Sequence, residues 1–371
     1  MTLLLRMVHE FSQPYPYNSF MQTKPIPQEP LPSMAELNRI LAPYQKSDTK
    51  HSVIQLVNTL VPYFGLWALM VYTIQISYWL TLAVAFVAAL FLVRVFIFFH
   101  DCGHNSFFPD KKLNKRVGFW LGVLVFTPGE QWWHSHAIHH ATSGNLDKRG
   151  IGDVTTLTLE EYIEKEWAHR LGYRLFRNPL VMFILGPLFM FMIMQRFARP
   201  RYGKKQTMSV VWTNIALLAV AVAWSLAIGW QNYLLIQIPV MWMAGAMGIY
   251  MFYLQHQFEE TYWERDPEWN YVASALIGAS FYKLPKLLAW FTGNIGFHHI
   301  HHLSPRIPNY NLDRAHANSE LIQKWAREIS FLDGLRTIRL KVWDEPVRRM
   351  RGFPDGVEEP SSQNRQHQAG D

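Results

Sequence analysis

Four long apolar stretches constrain the fold of this chain more than any other feature of its sequence. An α-helix rises about 1.5 Å per residue, so about 20 apolar residues are needed to cross the hydrocarbon core of a bilayer. The stretches come in two closely spaced pairs, and each pair predicts a membrane-spanning helical hairpin. Their bounds are residues 53–76 and 78–99 in the first pair, and 208–228 and 233–255 in the second.

Two further apolar runs need a separate interpretation. Gly118–Thr127 is too short to cross a bilayer, which favours a position at the interface or a re-entrant segment. Pro179–Gln195 has about 17 residues, at the lower limit for crossing. If it crossed, the basic run that follows would face away from most other Lys and Arg residues; that run comprises Arg196, Arg199, Arg201, Lys204 and Lys205.

If Pro179–Gln195 does not cross, every Lys and Arg outside the hairpins lies on one side of the membrane. Arg94 falls inside a span but near its end, and we expect its side chain to snorkel towards the headgroups. The turns near Ser77 and Gly229 carry no basic residue. The positive-inside rule then places the basic side in the cytoplasm. The sequence therefore predicts four spans with both termini cytoplasmic.

The composition agrees with a membrane protein. Half of the 371 residues are hydrophobic and 15% are aromatic, and the net charge of +7 suits a protein facing an anionic leaflet. The basic residues lie in loops beside the apolar spans without a nucleic-acid-binding module, so no nucleic acid partner is predicted. Cys102 is the single cysteine, which excludes a disulfide framework or an iron–sulfur cluster within one chain. The apolar run at the start of the sequence is too short for a signal peptide.

The chain divides into three predicted regions. Residues 1–50 form a polar, proline-rich cytoplasmic arm with a short helix near Met34 to Leu41. Residues 51–345 form the membrane domain, and residues 346–371 form a polar tail that we expect to be disordered because it has no apolar period.

Sixteen histidines are present, and most of them form three clusters at spacings of three and four residues. Such spacings place imidazoles on one face of a helix, where each cluster can aim two or three nitrogens at a common point. Eight ligands of one type exceed what one metal uses and suit a pair of metals. The predicted ligands are His100, His104, His136, His139, His140, His298, His301 and His302.

His256 follows the second hairpin as His100 follows the first, so it is the candidate ninth ligand; the alternative is an ordinary interfacial histidine. His134 and His299 lie off the spacing pattern, and we expect them to support the ligands or to be solvated. The other isolated histidines are expected at the surface: His9, His51, His169 and His367.

The donor type leaves several metals open, because imidazole binds iron, copper, nickel and zinc. Structural zinc closes at four ligands, and catalytic zinc keeps about three plus water. Eight or nine neutral nitrogens around two ions suit a redox metal that activates oxygen, and iron is the expected metal.

The motif series HDCGH, HAIHH and HHIHH, interleaved with two hairpins, resembles the membrane fatty acid desaturases over roughly residues 50–320. It is most similar to the bacterial acyl-lipid desaturases of the Δ12/ω-6 type. The stretches GNIGFHHIHHLSPRIPNY from Gly293 and LDKRGIGDV from Leu146 resemble the same group. The resemblance implies an all-α membrane protein with a helical cytoplasmic cap that carries the histidines. It also implies two Fe²⁺ ions, O2 as co-substrate and a cis double bond inserted into a membrane lipid acyl chain.

The three histidine motifs, which we call the first, second and third boxes in chain order, indicate which subgroup of the family the chain resembles. Three residues separate His100 from His104, as in acyl-lipid enzymes, and His298 begins the third box where front-end desaturases usually have Gln. No HPGG haem motif occurs, so no fused cytochrome b5 domain is expected. Ala137 and Ile138 depart from the basic pair often found inside the second box, which leaves the subgroup open.

The resemblance also implies a separate electron donor of the ferredoxin or cytochrome type, docking at the cytoplasmic face of a bacterial inner membrane. Asp101 and Asp153 are expected to orient ligand imidazoles through the second ring nitrogen, and His316 to support the third box. Two alternatives stay open: a hydroxylase or ketolase of the same superfamily acting on alkanes, carotenoids or sphingolipids, and a histidine-rich metal transporter. Transporters place their polar ligands near the membrane midplane, whereas the cores of these spans hold no histidine.

Overall fold

Helices dominate the computed structural model, which describes residues 26–354. Numbered in chain order, they are α1 Met34–Leu41, α2 Thr49–Thr73, α3 Tyr78–Gly103, α4 Lys111–Leu124, α5 Gly129–Thr142, α6 Leu159–Glu164, α7 Trp167–Phe176, α8 Gly186–Leu188, α9 Lys204–Ile228, α10 Trp230–His256, α11 Tyr271–Leu276, α12 Lys286–Phe291, α13 His298–Leu303, α14 Leu312–Ala317, α15 Glu320–Trp325 and α16 Phe331–Arg336. The α1 helix, predicted near Met34 to Leu41, is confirmed.

Shorter elements connect these helices. Strand β1 (Ser280–Lys283) pairs in parallel with β2 (Arg327–Ser330), and β3 (Val342–Asp344) pairs antiparallel with β4 (Arg349–Arg351). Single π-helical turns cover Val181–Leu185 and Phe189–Ile193. Short 3-10 turns lie at Ala42–Tyr44, Met194–Arg196, Pro200–Tyr202, Asn309–Asn311 and Thr337–Arg339.

The four predicted spans are confirmed as helices α2, α3, α9 and α10. They contain 25, 26, 25 and 27 residues, and each is long and apolar enough to cross a membrane. Helix α3 continues beyond the predicted end at residue 99 to Gly103, because the backbone hydrogen-bond ladder does not stop where the apolar residues stop. His100 therefore lies in the last turn of the helix.

Tight turns close both hairpins. In the first, the hydroxyl oxygens of Thr73 and Thr81 lie 3.0 Å apart across the turn. In the second, one residue separates α9 from α10: Gly229 has a φ of 84°, a conformation that glycine adopts without the steric cost a Cβ would bring. Since both turns lie at the same end, α3 and α10 finish at the opposite end, where the histidines are.

The outer surface of the spans is apolar, as a hydrocarbon solvent requires. Trp79 is 81% exposed and Leu226 is 84% exposed, and exposed apolar surface of this kind marks contact with a membrane or a partner. Helix α3 is the most buried span, because it packs against both α2 and α10. The first histidine cluster therefore lies at the end of the most tightly packed span.

A helical cap covers the ends of α3 and α10. Residues 104–166 and 257–354 belong to it, and its core includes Phe258, Leu276 and Ile300. The arm helix α1 packs into the same core through Leu37 and Leu41, both almost fully buried. The N-terminal arm is therefore attached to the cap along this helix.

The two ambiguous apolar runs behave differently. Helix α4, which contains Gly118, returns antiparallel along α3: Gly118 lies against Cys102, and Gly122 lies against Phe99. Its 14 residues are fewer than the roughly 20 needed to cross a bilayer. Pro179–Gln195 is irregular, and the bent pair α7 and residues 181–196 has the length of a fifth span with a 56° break. The non-crossing of this pair remains a prediction.

Arg94 does not snorkel, so that expectation is wrong. Its side chain is 3% exposed, its Nε donates to Thr59 Oγ1 at 3.1 Å, and its guanidinium carbon lies 4.0 Å from the Trp290 ring centroid. A terminal nitrogen also donates to the Trp290 carbonyl. Helix α12 packs beside α3 and brings this carbonyl within reach of the guanidinium. The buried cation therefore anchors the segment that precedes the third histidine box.

The predicted tail boundary at residue 345 is also wrong. Strand β4 continues the fold: Met350 is 2% exposed, and its backbone N–H donates to the Glu259 carbonyl at 2.8 Å. Arg351 forms an ion pair with Asp344 at 2.7 Å across the two strands. The alternation of outward charges and one inward Met makes this segment a strand despite its polar composition. Residues 355–371, with His367, and residues 1–25, with His9, lie outside the described residues.

Candidate metal centre

Nine histidines meet where the spans join the cap. His100 lies in the last turn of α3, His104 caps that helix, and His256 is the last residue of α10. Helices α5 and α13 lie beside these ends and contribute three histidines each. The structure thus brings together the eight histidines of the three boxes and the candidate ninth, His256.

The nine imidazoles form two adjacent groups, and within each group one ring nitrogen per residue lies within 4.8 Å of all the others. The five-histidine group comprises His100, His104, His136, His140 and His301, and the four-histidine group comprises His139, His256, His298 and His302. Each box aims two nitrogens at a common point, as expected, but the third member of the second and of the third box joins the other group. Pairs at i and i+4 stay together, whereas the i+3 members His139 and His301 join the other group.

Helix geometry explains this division. Consecutive residues of an α-helix differ by about 100° around its axis, so His139 and His140 cannot face the same point. Residues four apart differ by only about 40°, which keeps His136 with His140. Each of α5 and α13 lies between the two groups and supplies both.

In the five-histidine group, His301 is central. Its Nε2 lies 3.0 Å from His100 Nε2 and 3.0 Å from His140 Nε2. His140 Nε2 is in turn 3.1 Å from His136 Nε2. His104 is half-buried, but its Nε2 atom is buried and has no hydrogen-bond partner among the described residues. The five nitrogens converge on one point.

In the four-histidine group, His256 is central. Its Nε2 lies 3.1 Å from His139 Nε2 and 2.9 Å from His298 Nε2. The His302 ring lies 4.7 Å from the His256 ring, and its buried Nε2 has no hydrogen-bond partner in the described part of the chain. Without His256 this group would hold three residues.

Acceptors on the outer side of three rings define the tautomers. Asp101 Oδ1 accepts from His100 Nδ1 at 3.1 Å, and Asp153 Oδ1 accepts from His139 Nδ1. The Gly278 carbonyl accepts from His256 Nδ1 at 3.1 Å. With the proton on Nδ1, a neutral imidazole presents a bare lone pair at Nε2. Asp101 and Asp153 thus stand where the sequence analysis placed them.

These tautomers leave nitrogen lone pairs that point into the site, where a metal ion could accept them. His139 and His256 both donate from Nδ1, so two lone pairs face each other at 3.1 Å. Two acceptors at this distance repel unless a proton or a cation lies between or beside them. A metal ion in each group would satisfy the converging nitrogens, including the orphaned Nε2 atoms of His104 and His302. The donor set fits two metal ions with nitrogen ligands.

Burial keeps the imidazoles in the form that binds metal. Desolvation, and then neighbouring histidines, hold the pKa of each of five cap histidines well below 6.5, because charging a buried ring is costly. These residues are His136, His140, His298, His301 and His302. Neutral rings at physiological pH are ready to coordinate without first losing a proton.

Aromatic side chains shield both groups. Trp132 precedes His136 by one helical turn, and the two rings stack at 4.5 Å and 20°. Phe252 covers the other group, with its ring 5.1 Å from His139 and 5.5 Å from His256. Aromatic walls exclude water and strengthen electrostatic interactions at the nitrogens.

The glutamines flanking His256 hold it in place. Gln255 donates to the Ile295 carbonyl at 2.8 Å, and Gln257 Oε1 accepts from the buried Arg177 at 2.9 Å. The first bond links α10 to the segment before the third box, and the second links it to the segment after α7. Contacts with two other segments of the chain therefore hold His256 in position, in addition to its place at the end of α10.

The remaining histidines lie outside the two groups. His299 is fully buried, so the solvated alternative is wrong for it, and its Nε2 lies 3.0 Å from His316 Nδ1. The His316 ring also lies 4.7 Å from that of Phe281 and 5.2 Å from that of Phe297, the residue that precedes α13. His134 is half-buried with its ring 4.8 Å from that of Tyr202. His51 and His169 are exposed, as predicted.

Sequence reasoning missed three contributors to the site. The carbonyl of Gly278 carries no side-chain signal, and Asn309, which bonds Asp101 at 2.8 and 2.9 Å, is distant from it in the chain. Trp132 was detectable, because its spacing of four from His136 places it on the same face of α5.

Comparisons with known proteins identify the family of the chain. The family model described as fatty acid desaturase matches residues 77–327, more than half of the chain. A Bacillus subtilis protein named fatty acid desaturase is 48% identical over 318 residues, which cover 86% of this chain and 90% of that protein.

Two plant relatives are more distant. An Arabidopsis thaliana sn-2 acyl-lipid omega-3 desaturase (ferredoxin), chloroplastic, is 29% identical over 68% of this chain and 56% of its own length. A Crepis alpina Delta(12) fatty acid dehydrogenase is 29% identical over 62% of this chain and 64% of its own length. The aligned part covers less than two thirds of each plant protein. The chain belongs to the fatty acid desaturase family, and it is an oxidoreductase that acts on fatty acids.

Proposed function

We propose that the chain is an O2-dependent desaturase that introduces a cis double bond into an acyl chain of a membrane lipid, of the Δ12/ω-6 type. The observation that carries the proposal is the pair of adjacent histidine groups with five and four converging nitrogens. Family membership supplies the substrate class, and the paired groups supply the site for two redox metals.

Iron is the metal we propose for both groups. His100, His104, His136, His140 and His301 would hold one ion, and His139, His256, His298 and His302 would hold the other. Structural zinc closes at four ligands, so a group of five histidines favours a metal with higher coordination. Imidazole also suits ferrous iron.

Two iron ions held in these groups would supply the reduction of O2 that accompanies removal of two hydrogens from neighbouring methylenes. The balance is one acyl –CH2–CH2– unit, O2, two electrons and two protons, giving –CH=CH– and two waters. Two electrons per turnover must come from outside the acyl chain. Binding energy then serves to hold one methylene pair in a fixed position.

The residues of this chain prepare the site. Asp101 and Asp153 keep the proton on the outer nitrogen of His100 and His139, which directs Nε2 inward. The Gly278 carbonyl does the same for His256. Trp132 and Phe252 exclude water, which protects a reactive site from side reactions.

The double-bond position rests on the motif resemblance. His298 at the start of the third box and the three-residue gap between His100 and His104 both favour an acyl-lipid desaturase of the Δ12/ω-6 type. The Crepis alpina relative carries Delta(12) in its name, whereas the Arabidopsis relative carries omega-3. Relatives at similar identity thus differ in position, and product analysis decides between them.

The electron donor we propose is a separate protein of the ferredoxin or cytochrome type. The chain has one cysteine, Cys102, which is buried and cannot hold an iron–sulfur cluster alone. The name of the Arabidopsis relative includes ferredoxin, which supports this donor class.

We also propose that the cap faces the cytoplasm of a bacterial inner membrane. Lys204 and Lys205 lie at the cap end of α9, whereas the turns at the opposite end, near Ser77 and Gly229, carry no Lys or Arg. This asymmetry follows the positive-inside rule.

Expression in a host whose lipids hold only saturated and monounsaturated chains tests the reaction. We expect new diunsaturated chains, with the added double bond located by mass spectrometry at Δ12. Unchanged lipids in oxygenated cells that supply ferredoxin and its reductase would contradict the desaturase proposal. Hydroxylated or keto products would favour the alternative members of the superfamily, and a different position would contradict the Δ12 assignment.

Substitution of His256 tests the ninth ligand. His256→Ala leaves the four-histidine group with three nitrogens, so we expect iron content to fall from about two ions to about one and desaturation to be lost, as after His139→Ala. Iron is measured by atomic spectrometry on purified protein. The exposed His169→Ala is the control, with a stability change within about 0.5 kcal/mol. Two ions and normal turnover in His256→Ala would refute the assignment.

Cysteine labelling in intact cells tests the orientation. Cysteines introduced at Gln75 and Gln231, both exposed at the hairpin turns, should react with an impermeant maleimide from the periplasm. Cysteines at Lys148 and Lys204 should react only after the cells are opened. Cys102 is buried and gives little background. Periplasmic labelling at Lys204 would mean that the segment 167–196 crosses the membrane.

A further inference from the structure

We propose that Asn309 is a positioning residue for the five-histidine group, acting on His100 through Asp101. The inference rests on the proposed function, because it concerns the metal that the group would hold. Asn309 lies beyond the third box in the 3-10 turn Asn309–Asn311, and it is fully buried. Its role is not visible in the spacing of the histidines.

The bonds form a continuous chain from Asn309 to the metal-facing nitrogen. The backbone N–H and the side-chain Nδ2 of Asn309 both donate to Asp101 Oδ2, at 2.8 and 2.9 Å. Asp101 Oδ1 accepts from His100 Nδ1 at 3.1 Å. His100 Nε2 then points at the central His301. Because the Asp101 carboxylate can only accept hydrogen bonds, both Asn309 and His100 must donate to it.

The hydrogen bonds from Asn309 and His100 stabilise the buried carboxylate of Asp101. Asp101 is 1% exposed, and a carboxylate at such a position is costly unless both oxygens are hydrogen-bonded. Asn309 occupies Oδ2 with two donors, which leaves Oδ1 for the imidazole. If the Nδ2 donor were lost, the carboxylate could rotate towards the remaining donors, and the His100 ring would lose its fixed orientation.

Asn309 is itself held from a third element. Its Oδ1 accepts from Gln55 Nε2 of α2 at 3.0 Å, which fixes which end of the amide faces Asp101. The neighbouring Tyr310 hydroxyl accepts from the backbone N–H of Asp48 at 2.8 Å, and Asn311 donates to the Tyr44 carbonyl at 3.0 Å. The start of the first span and the end of the arm therefore brace the turn that carries Asn309.

Two substitutions separate positioning from packing. Asn309→Asp keeps the shape but replaces the Nδ2 donor with an oxygen that repels Asp101; Asn309→Ala removes the donor and leaves a small cavity. A packing role predicts that the isosteric Asp variant behaves better than the Ala variant. A positioning role predicts that the Asp variant is at least as impaired in metal binding. Asn309→Ser, which keeps a shorter donor, is the mild variant if these two fold poorly.

The matched control is Asn114→Ala. Asn114 is also fully buried, but its side chain bonds the backbone groups of Phe108 at 2.7 and 3.0 Å, and these bonds reach neither a histidine nor Asp101. Its loss should lower the melting temperature of the purified protein without a selective effect on metal. It therefore reports what losing a buried asparagine costs the fold.

The measurement is ferrous iron binding to the full-length metal-depleted protein in detergent, with the melting temperature recorded in parallel. We expect the wild type and Asn114→Ala to bind about two ions, and the Asn309 variants to bind one ion normally and the other about 10- to 100-fold more weakly, the effect typical of lost outer hydrogen bonds at metal sites. Serine should fall between wild type and alanine.

Three results would overturn the inference: two ions at wild-type affinity in every Asn309 variant, normal binding by the Asp variant alone, or equal weakening of both ions. A wild-type protein that binds no ferrous iron would instead contradict the proposed function, and the inference with it.

Discussion

Converging imidazole lone pairs are the constraint on which this structure depends. Asp153 and the Gly278 carbonyl hold the outer protons of His139 and His256, so their inner nitrogens face each other as acceptors at 3.1 Å. An unsatisfied buried polar atom costs about 1–3 kcal/mol, and several such atoms meet in each group. The fold therefore forms a site in which bound cations would remove the cost of leaving these buried nitrogens unsatisfied.

The membrane architecture explains how distant segments reach this site. Each hairpin turns at the far side of the bilayer and returns, so α3 and α10 end beside each other and deliver His100 and His256 to one level. The cap then needs only two short helices, α5 and α13, to supply the remaining box residues. Because every candidate ligand comes from a helix or a helix cap, the geometry is held by packed backbone rather than by loops.

The sequence predicted the spans from the length of their apolar runs, the eight box histidines from their spacing, and His256 from its place after the second hairpin. It did not predict how the boxes divide: His139 and His140 are neighbours in the chain but face different groups, since a helix turns about 100° per residue. Arg94 pairs with a backbone carbonyl of α12, a segment almost 200 residues away, so no local pattern could place it. Asn309 and Gly278 were missed for the same reason, as contacts between distant segments have no spacing signature.

The positions of the bound metals distinguish a paired histidine site from a single one. Crystals of the iron-loaded protein, measured at the iron absorption edge, give an anomalous difference map that shows iron positions independently of the protein geometry. The account predicts two peaks, one enclosed by the five-histidine group and one by the four-histidine group that includes His256. A single peak, or an ion bound directly by Asp101 or Asp153, would contradict it.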